Sequence, residues 1–305
     1  MLLVLTHSRD FTTDDVLGQL PEIPIFRFNI DLWRDYQWEI GPDDFTIKDP
    51  HGRICHESEV RAVYLRKLLF EPHLIEIPVG GSEEHWVRSE LEQVWLGLRD
   101  WAHETGKLAL VAPSAAGRWS KIRQMKGAKR FFRLPDWRMV HAAASDLKPP
   151  VVVKTLAAAN VGGGGIVTVR EVEEEKLSQA FPWFLQRSVV DATHDVTVAW
   201  VDGETFAYEI DRRLFDGVDC RLVPSDANAK WTLCQLSEEE SAAICAFMRH
   251  TGLKFGRLDF LRDAEGLWFL EVNPNGQFAW LDPWGENGLL KAVADAIRKV
   301  WLANG

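Results

Sequence analysis

Cysteine is scarce in this chain: there are four, Cys55, Cys220, Cys234 and Cys245, with no C-x-x-C pair and no histidine nearby at metal-ligand spacing. That excludes a disulfide framework or a zinc-finger-type site and leaves reduced, mostly buried thiols, as in a cytoplasmic protein. Long apolar runs are missing as well; none approaches the roughly eighteen residues that a membrane span requires. The opening MLLVLTHSRD carries neither a basic n-region nor a small-residue cleavage site, so it reads as a first strand and not as a signal peptide. Positive charge is in deficit, with 35 Lys and Arg against 45 Asp and Glu and a formal charge of −10. This argues against non-specific nucleic-acid binding and leaves room for local basic pockets. Internal repeats, low-complexity tracts and long linkers are absent. So is any Ser-His-Asp set; His194 has no partner in the sequence and reads as structural or exposed.

What is present is enough for a large core. The 305 residues, 46% of them hydrophobic, support two or three closely packed subdomains. Short apolar strands are expected at 2–5, 23–28, 38–40, 45–48 and 60–65, separated by turn signals such as Gly41-Pro42-Asp43-Asp44. Helices are expected at 12–20 and 83–104, the second burying Trp86, Leu91, Val94, Trp95, Leu98 and Trp101. Strands alternating with helices indicate a small α/β domain over 1–112.

A second unit, 113–185, begins with a basic helix at 120–134, whose Lys121, Arg123, Lys126, Lys129 and Arg130 read as a solvated face. It continues with strands at 151–153, 166–169 and 184–187. The third unit, 186–305, looks mostly antiparallel: strands at 196–201 and 206–210, a helix at 237–251 with a Ser237/Glu240 capping box, a hairpin of 256–261 with 268–272, and a last helix at 288–301. The fold class is therefore mixed, α/β followed by α+β. Most of the fourteen tryptophans belong in cores, while Trp280 and Trp284 are candidates for lining a substrate groove.

The most informative stretch is GRLDFLRDAEGLWFLEVNPNGQF, residues 256–278. Residues two apart in a strand share a face, so Glu271 and Asn273 point the same way. With the turn at 264–266, Asp259 falls opposite Glu271 and Arg257 opposite Asn273. Facing carboxylates repel, and a hard divalent cation between them would convert repulsion into binding; two carboxylates and an amide oxygen suit Mg²⁺ beside phosphates. The plainer alternative is a solvent-facing hairpin, but both acids are embedded in apolar runs, LDFL and WFLEV.

Lys154 closes the apolar run that begins at Pro149 and needs a partner, either a nucleotide phosphate or a nearby acid. Eight residues on, Gly162-Gly163-Gly164-Gly165 could curl backbone N–H groups around anionic oxygens, as a lid over phosphates, or could form a flexible hairpin tip. Neither a Walker A loop nor a dinucleotide fingerprint is present. Arg221 and Arg257 are candidates for holding a transferred phosphate or the charge of a tetrahedral intermediate.

Taken together, Lys121, Lys154, the glycine run, FLQRSV at 184–189, and Asp259, Glu271 and Asn273 resemble an ATP-grasp enzyme over roughly residues 115–290. The resemblance implies a fold that clasps ATP between two α+β subdomains, the last carrying an antiparallel sheet. It implies that Lys121 and Lys154 contact phosphates and the adenine edge, and that the segment Gln186, Arg187, Ser188 and Val189 binds adenine through backbone groups. It implies further that Asp259, Glu271 and Asn273 hold two Mg²⁺ ions.

Within that group the chain is most similar to the microviridin (graspetide) ligases, through LLVLTHSRDFTTDDVLGQL, IPIFRFNID, AVYLRK and VNPNGQFAWLD. This implies a precursor peptide as partner, with Asp/Glu side chains joined to Ser/Thr or Lys side chains through an acyl phosphate. Neither a nucleic acid nor a membrane is expected as a partner. The run Asp195-Val196-Thr197 departs from the pattern, which leads to an arginine at the third place. Two rival functions stay open: ligation of free amino acids or another small carboxylate, as in D-alanine–D-alanine ligases, and a peptide-binding module without catalysis. The sequence does not fix the oligomeric state; a homodimer is one option.

Overall fold

The computed structural model describes residues 1–66, 75–110, 120–142, 145–156, 160–161, 165–166, 169–180, 182–215, 218–219 and 230–305. Arg221, Cys220 and Gly162–Gly164 lie outside them. Among the described residues no helix is long and apolar enough to cross a membrane.

The chain begins as expected, with β1 (Leu2–Thr6), α1 (Phe11–Leu17) and β2 (Ile25–Asn29). It then forms β3 (Gln37–Ile40), β4 (Phe45–Lys48), β5 (Ile54–His56), β6 (Ala62–Leu65), α2 (Gly81–Glu104) and β7 (Leu108–Ala109). A parallel sheet of order β2-β1-β6-β7 forms the centre, and β3-β4-β5 make a separate antiparallel sheet. All of β1 is buried because alternate residues serve two cores. Leu3 and Leu5 pack with Leu91, Trp95 and Leu98 of α2, and Leu2 and Val4 pack towards the last helix. The expectation for Trp86 fails: it is 63% exposed. Full burial along α2 begins only at Leu91; in the turns before it residues such as Val87 are at most half-buried, so the apolar period there finds only partial cover.

The middle of the chain contains α3 (Lys121–Ala128), β8 (Trp137–Val140), β9 (Val151–Lys154), β10 (Asn160–Val161), β11 (Gly165–Ile166), β12 (Arg170–Val172) and β13 (Trp183–Arg187). A sheet of order β12-β9-β13-β8 results, and β10 and β11 pair as a short hairpin. The basic helix starts where expected, with Ser120 Oγ accepting from Arg123 N, but ends at Ala128 instead of 134. The residues beyond it turn inward: the Phe132 ring stacks on Phe269 at 5.4 Å and meets Phe247 edge-on at 5.3 Å. Tertiary burial of two aromatics outweighs the helical propensity of that segment.

The last part comprises β14 (His194–Val201), β15 (Glu204–Asp211), β16 (Thr232–Leu233), α4 (Glu238–Thr251), β17 (Phe255–Asp263), β18 (Gly266–Asn273) and α5 (Leu289–Ala303). Its five-stranded antiparallel sheet has the order β16-β15-β14-β17-β18. The capping box of α4 is present, with Ser237 Oγ accepting from Glu240 N and the Glu240 carboxylate accepting from Ser237 N. Ser237→Ala is expected to cost about 1 kcal/mol, read as a lower midpoint of urea denaturation.

One face of this sheet, through Val196, Val198, Leu258 and Phe260, packs on α4. The opposite face is covered by α5 only along part of its length, through Ala199, Val201 and Phe255. The uncovered remainder forms the floor of the site.

Candidate active site

A cavity of about 640 Å³ opens over that uncovered face, with the β12-β9-β13-β8 sheet on its other side. On the floor, β17 pairs with β18 so that Asp259 lies opposite Glu271 and Arg257 opposite Asn273, the register expected from sequence. The route to that register differs. The turn is tighter than expected, with Asp263 opposite Gly266, whose φ of +119° suits glycine. A bulge beyond Asp259/Phe260 then absorbs one residue and restores the pairing. On the other flank of β17, Thr197 of β14 lies opposite Asp259 and donates from Oγ1 to Oδ1 at 2.8 Å. Threonine thus stands where the resemblance leads to arginine, and the guanidinium beside Asp259 comes from Arg257, with Nη2 3.1 Å from Oδ2.

The cavity roof follows the same period-two logic. Val151 and Val153 of β9 pack with Leu185 on the far side, which turns Val152 and Lys154 to the cavity. Gln186 lies opposite Val152, and Phe184 opposite Lys154. Gln186 is buried, and its Nε2 has no hydrogen-bond partner among the described residues. A buried orphan donor in a cavity wall calls for a ligand acceptor. The amides of Arg187 and Ser188 are already used, donating to Asp136 O and Pro150 O at 2.8 Å each. The Ser188 and Val189 side of the segment also lines the cavity.

Lys121 reaches the floor from α3. The helix buries Gln124, Met125 and Ala128, and Lys121 shares that face at i−3 and i−4. Gln124 Oε1 accepts from Val272 N at 3.0 Å, which docks α3 on β18 and sets Lys121 Nζ 2.8 Å from Glu271 Oε2. Lys121 also donates to Thr155 O at 3.2 Å. Burial alone would raise the Glu271 carboxyl, but the charge and hydrogen bond of Lys121, the Asn273 amide and Lys154 bring it down to about 2.

A group held below its ordinary value of 4.5 stabilises the fold above that pH and ceases to as pH falls through about 2. The protein is therefore expected to lose stability between about pH 5 and pH 3 more steeply than Glu271→Gln, measured as denaturation midpoints across that range.

Lys154 makes no ion pair among the described residues. Burial first, and the like charge of Lys121 second, push its ammonium down to about 8 against the pull of Glu271, Asp195 and Asp259. The acid alternative to a phosphate partner is thus near without being bonded to it, whereas Lys121 and Arg257 are ion-paired.

The facing acids do not depend on a dication to coexist, contrary to the sequence argument. Lys121 neutralises Glu271, Arg257 neutralises Asp259, and Asn273 Nδ2 bridges the two, 3.1 Å from Glu271 Oε1 and 3.2 Å from Asp259 Oδ2. The donor chemistry nonetheless fits Mg²⁺: two carboxylates converge on one point, and rotation of the Asn273 amide would present an oxygen there. Among the described residues there is no group of three or more His, Cys, Asp or Glu that could by itself hold a metal ion. Gly276 packs closely behind the arrangement: a Cβ there would lie 3.2 Å from both the Arg257 and Asn273 Cβ atoms, so one of them would have to shift by a few tenths of an ångström.

Several wall residues escaped the sequence reading. Arg212 pairs with buried Asp195 at 2.5 Å; Asp219 accepts from Val169 N at 2.8 Å; Trp231 meets Trp280 edge-on at 5.6 Å; Gln277 also lines the cavity. Of the two tryptophans singled out, Trp280 lines the cavity and Trp284 is 83% exposed outside it. His194 receives or gives one local bond, with Thr193 Oγ1 at 3.0 Å. Gly165 lies in β11 opposite Val161; Arg221 and the other three glycines fall outside the described residues.

The fold that combines these sheets around such a cavity is the ATP-grasp fold. Two solved structures align over nearly the whole chain. One is a RiPP-associated ATP-grasp ligase of Chryseobacterium gregarium in complex with ADP and a leader and core peptide (20% identity, TM-score 0.80, 98% of this chain and 96% of that one). The other is the macrocyclase MdnC of Microcystis aeruginosa MRC bound with the precursor peptide MdnA (18%, 0.79, 98% and 99%). The ATP-grasp ligase PsnB, complexed with a minimal precursor, Mg and ADP, is also similar (16%, 0.73, 98% and 97%). No protein-family model and no curated protein matches the chain.

Proposed function

We propose that this chain is an ATP-dependent carboxylate ligase that forms side-chain ester or amide crosslinks in a ribosomally made precursor peptide. The observation that carries the reading is the convergence, in one cavity, of Lys121, Lys154, Gln186, Asp259 and Glu271 from one helix and four strands of two different sheets. Support comes from the whole-chain likeness to one ligase whose structure holds ADP with a leader and core peptide and to another bound with a precursor peptide. The same reading divides the chain at 1–112, 113–185 and 186–305.

In this assignment Gln186 donates from its unpaired Nε2 to the base, and the Ser188–Val189 backbone lies along it. Lys121 and Lys154 set positive charge against the phosphates, Lys154 at no cost in broken ion pairs. Asp259, Glu271 and Asn273 would hold Mg²⁺, two ions in the full assignment, and bound Mg²⁺ would offset charge on the phosphate oxygens. A carboxylate oxygen of the peptide bonds to the γ-phosphorus as ADP leaves. A hydroxyl or amine then bonds to the acyl carbon, and inorganic phosphate leaves with the proton that the nucleophile gives up. Arg257, fixed at Asp259, holds charge on the transferred group.

The test is incubation with ATP, Mg²⁺ and a short peptide encoded beside this chain's gene and carrying Asp or Glu with Ser, Thr or Lys. The expected result is phosphate release together with loss of one water per crosslink by mass spectrometry. Phosphate release with free amino acids alone would favour a small-substrate ligase; peptide binding without turnover would favour a module that lost catalysis.

A further inference from the structure

The parallel N-terminal sheet has a switch point between β1 and β6, where the chain leaves the sheet in opposite directions. In open α/β sheets such crevices usually receive a ligand. Here the crevice is filled from within the chain, by residues 276–278 that follow the acidic hairpin. Arg66, at the end of β6 and 2% exposed, donates from Nη2 to Gly276 O at 3.3 Å and to Gln277 Oε1 at 3.4 Å. Its guanidinium lies over the Phe278 ring, 5.2 Å from the centroid. Thr12 of α1 donates from Oγ1 to the same Gln277 Oε1 at 2.5 Å. The buried cation is balanced by Asp10, 3.8 Å from Nε, whose carboxylate is fixed by the hydroxyls of Thr6 and Thr13 at 2.6 and 2.7 Å.

The clasped loop is in turn bonded to the site. Gln277 O accepts from Arg257 Nη1 at 3.0 Å and from Trp280 Nε1 at 3.2 Å. Gly276 N donates to Asn273 O at 3.2 Å. One chain of contacts thus runs from Asp10 through Arg66 and Gln277 to Arg257 and Asn273, and Gln277 itself lines the cavity.

We infer that Arg66 is a positioning residue: with Thr12 it locks the 276–278 loop into the N-terminal sheet, and through that loop it sets Arg257 and Asn273 for the bound nucleotide. This rests on the proposed function for its last step only. A free loop could place Arg257 against Asp259 without holding Asn273, because both depend on where the Gln277 carbonyl and the Gly276 amide lie. The clasp fixes both at once. It also orients the Gln277 amide, whose Oε1 is taken by two donors from the N-terminal unit, leaving its NH₂ for an oxygen of the substrate.

The test compares Arg66→Gln, Arg66→Lys, Thr12→Val and Gln277→Ala with the unaltered full-length chain. Hydrogen exchange of residues 274–281, measured without nucleotide, is expected to speed up at least about tenfold in Arg66→Gln and Gln277→Ala, with β1 and α5 unchanged. By calorimetry, affinity for ADP in the presence of Mg²⁺ is expected to fall several-fold, while affinity for ADP alone stays put. The Arg66→Gln/Gln277→Ala double variant should be no worse than either single one, and Arg66→Lys should recover part of the loss.

Uniformly faster exchange with a lower Tm would overturn the inference in favour of a merely structural arginine. Unchanged loop exchange in Thr12→Val and Gln277→Ala would overturn it even if Arg66→Gln fails to fold. Should the unaltered protein bind no ADP at all, the functional reading fails, and the loop exchange still decides the clasp.

Discussion

Glu271→Gln is expected to lower ATP turnover by about 10³-fold, the scale of losing a group that supports charge developing in a transition state. The substitution keeps the side chain's size while removing the charge that Lys121 faces at 2.8 Å and that Asn273 bonds at 3.1 Å. Glutamine can still accept one bond from Lys121, so the cavity walls keep their shape and the loss falls on the acid's own function. Glu265→Gln, at the exposed tip of the same hairpin, serves as the control and is expected to leave turnover unchanged. Turnover is measured as ADP formed per enzyme with peptide present. Equal rates in the two variants would remove Glu271 from the reaction.

Lys154→Met should act in opposite directions on stability and on binding. The ammonium is buried, and in the empty protein it has no ion-pair partner among the described residues; its pKa of about 8 lies below the ordinary 10.5. A lysine held below its ordinary value costs the folded state its full penalty at every pH under about 8. That cost fades as pH rises through the interval between the two values. Methionine keeps the length and drops the charge, so the nucleotide-free protein should gain about 1–3 kcal/mol at pH 7 and melt several degrees higher. The gain should shrink between about pH 8 and pH 10. Affinity for ADP should fall about ten- to a hundredfold, the scale of one charge-assisted hydrogen bond. A residue kept against stability is one whose partner arrives later. Calorimetric melting and titration of the same two proteins check both signs, and a destabilised Lys154→Met with intact ADP binding would refute the assignment.

Much of the site was legible because it depends on local periodicity. Facing acids and a strand-end lysine need only alternation and one turn length, and they reach the cavity, as does the 186–189 segment that the resemblance singled out. The hairpin also shows how a correct register can follow from a wrong detail: the turn is one residue shorter than the sequence suggested, and the bulge near Asp259/Phe260 makes up the difference. No pattern in the strand announces a bulge.

What the sequence could not show is pairing between distant segments. Thr197 reaches Asp259 only because β14 and β17 are neighbours, and Arg66 meets Gln277 across 211 positions. The neutralisation of both acids by Lys121 and Arg257 belongs to the same class; without those partners, a bound cation was the only visible remedy for their repulsion. Trp86 and the end of α3 failed for the complementary reason. A helical period marks what a helix could bury, and the surrounding sheets decide how much of it meets a surface.

The most direct test is a crystal structure with ADP and Mn²⁺, with data collected at the manganese edge. Anomalous peaks should lie between Asp259, Glu271 and the nucleotide phosphates, with the Asn273 amide oxygen turned towards them and Gln186 against the base. Nucleotide bound away from this cavity, or manganese without either carboxylate as a ligand, would contradict the account.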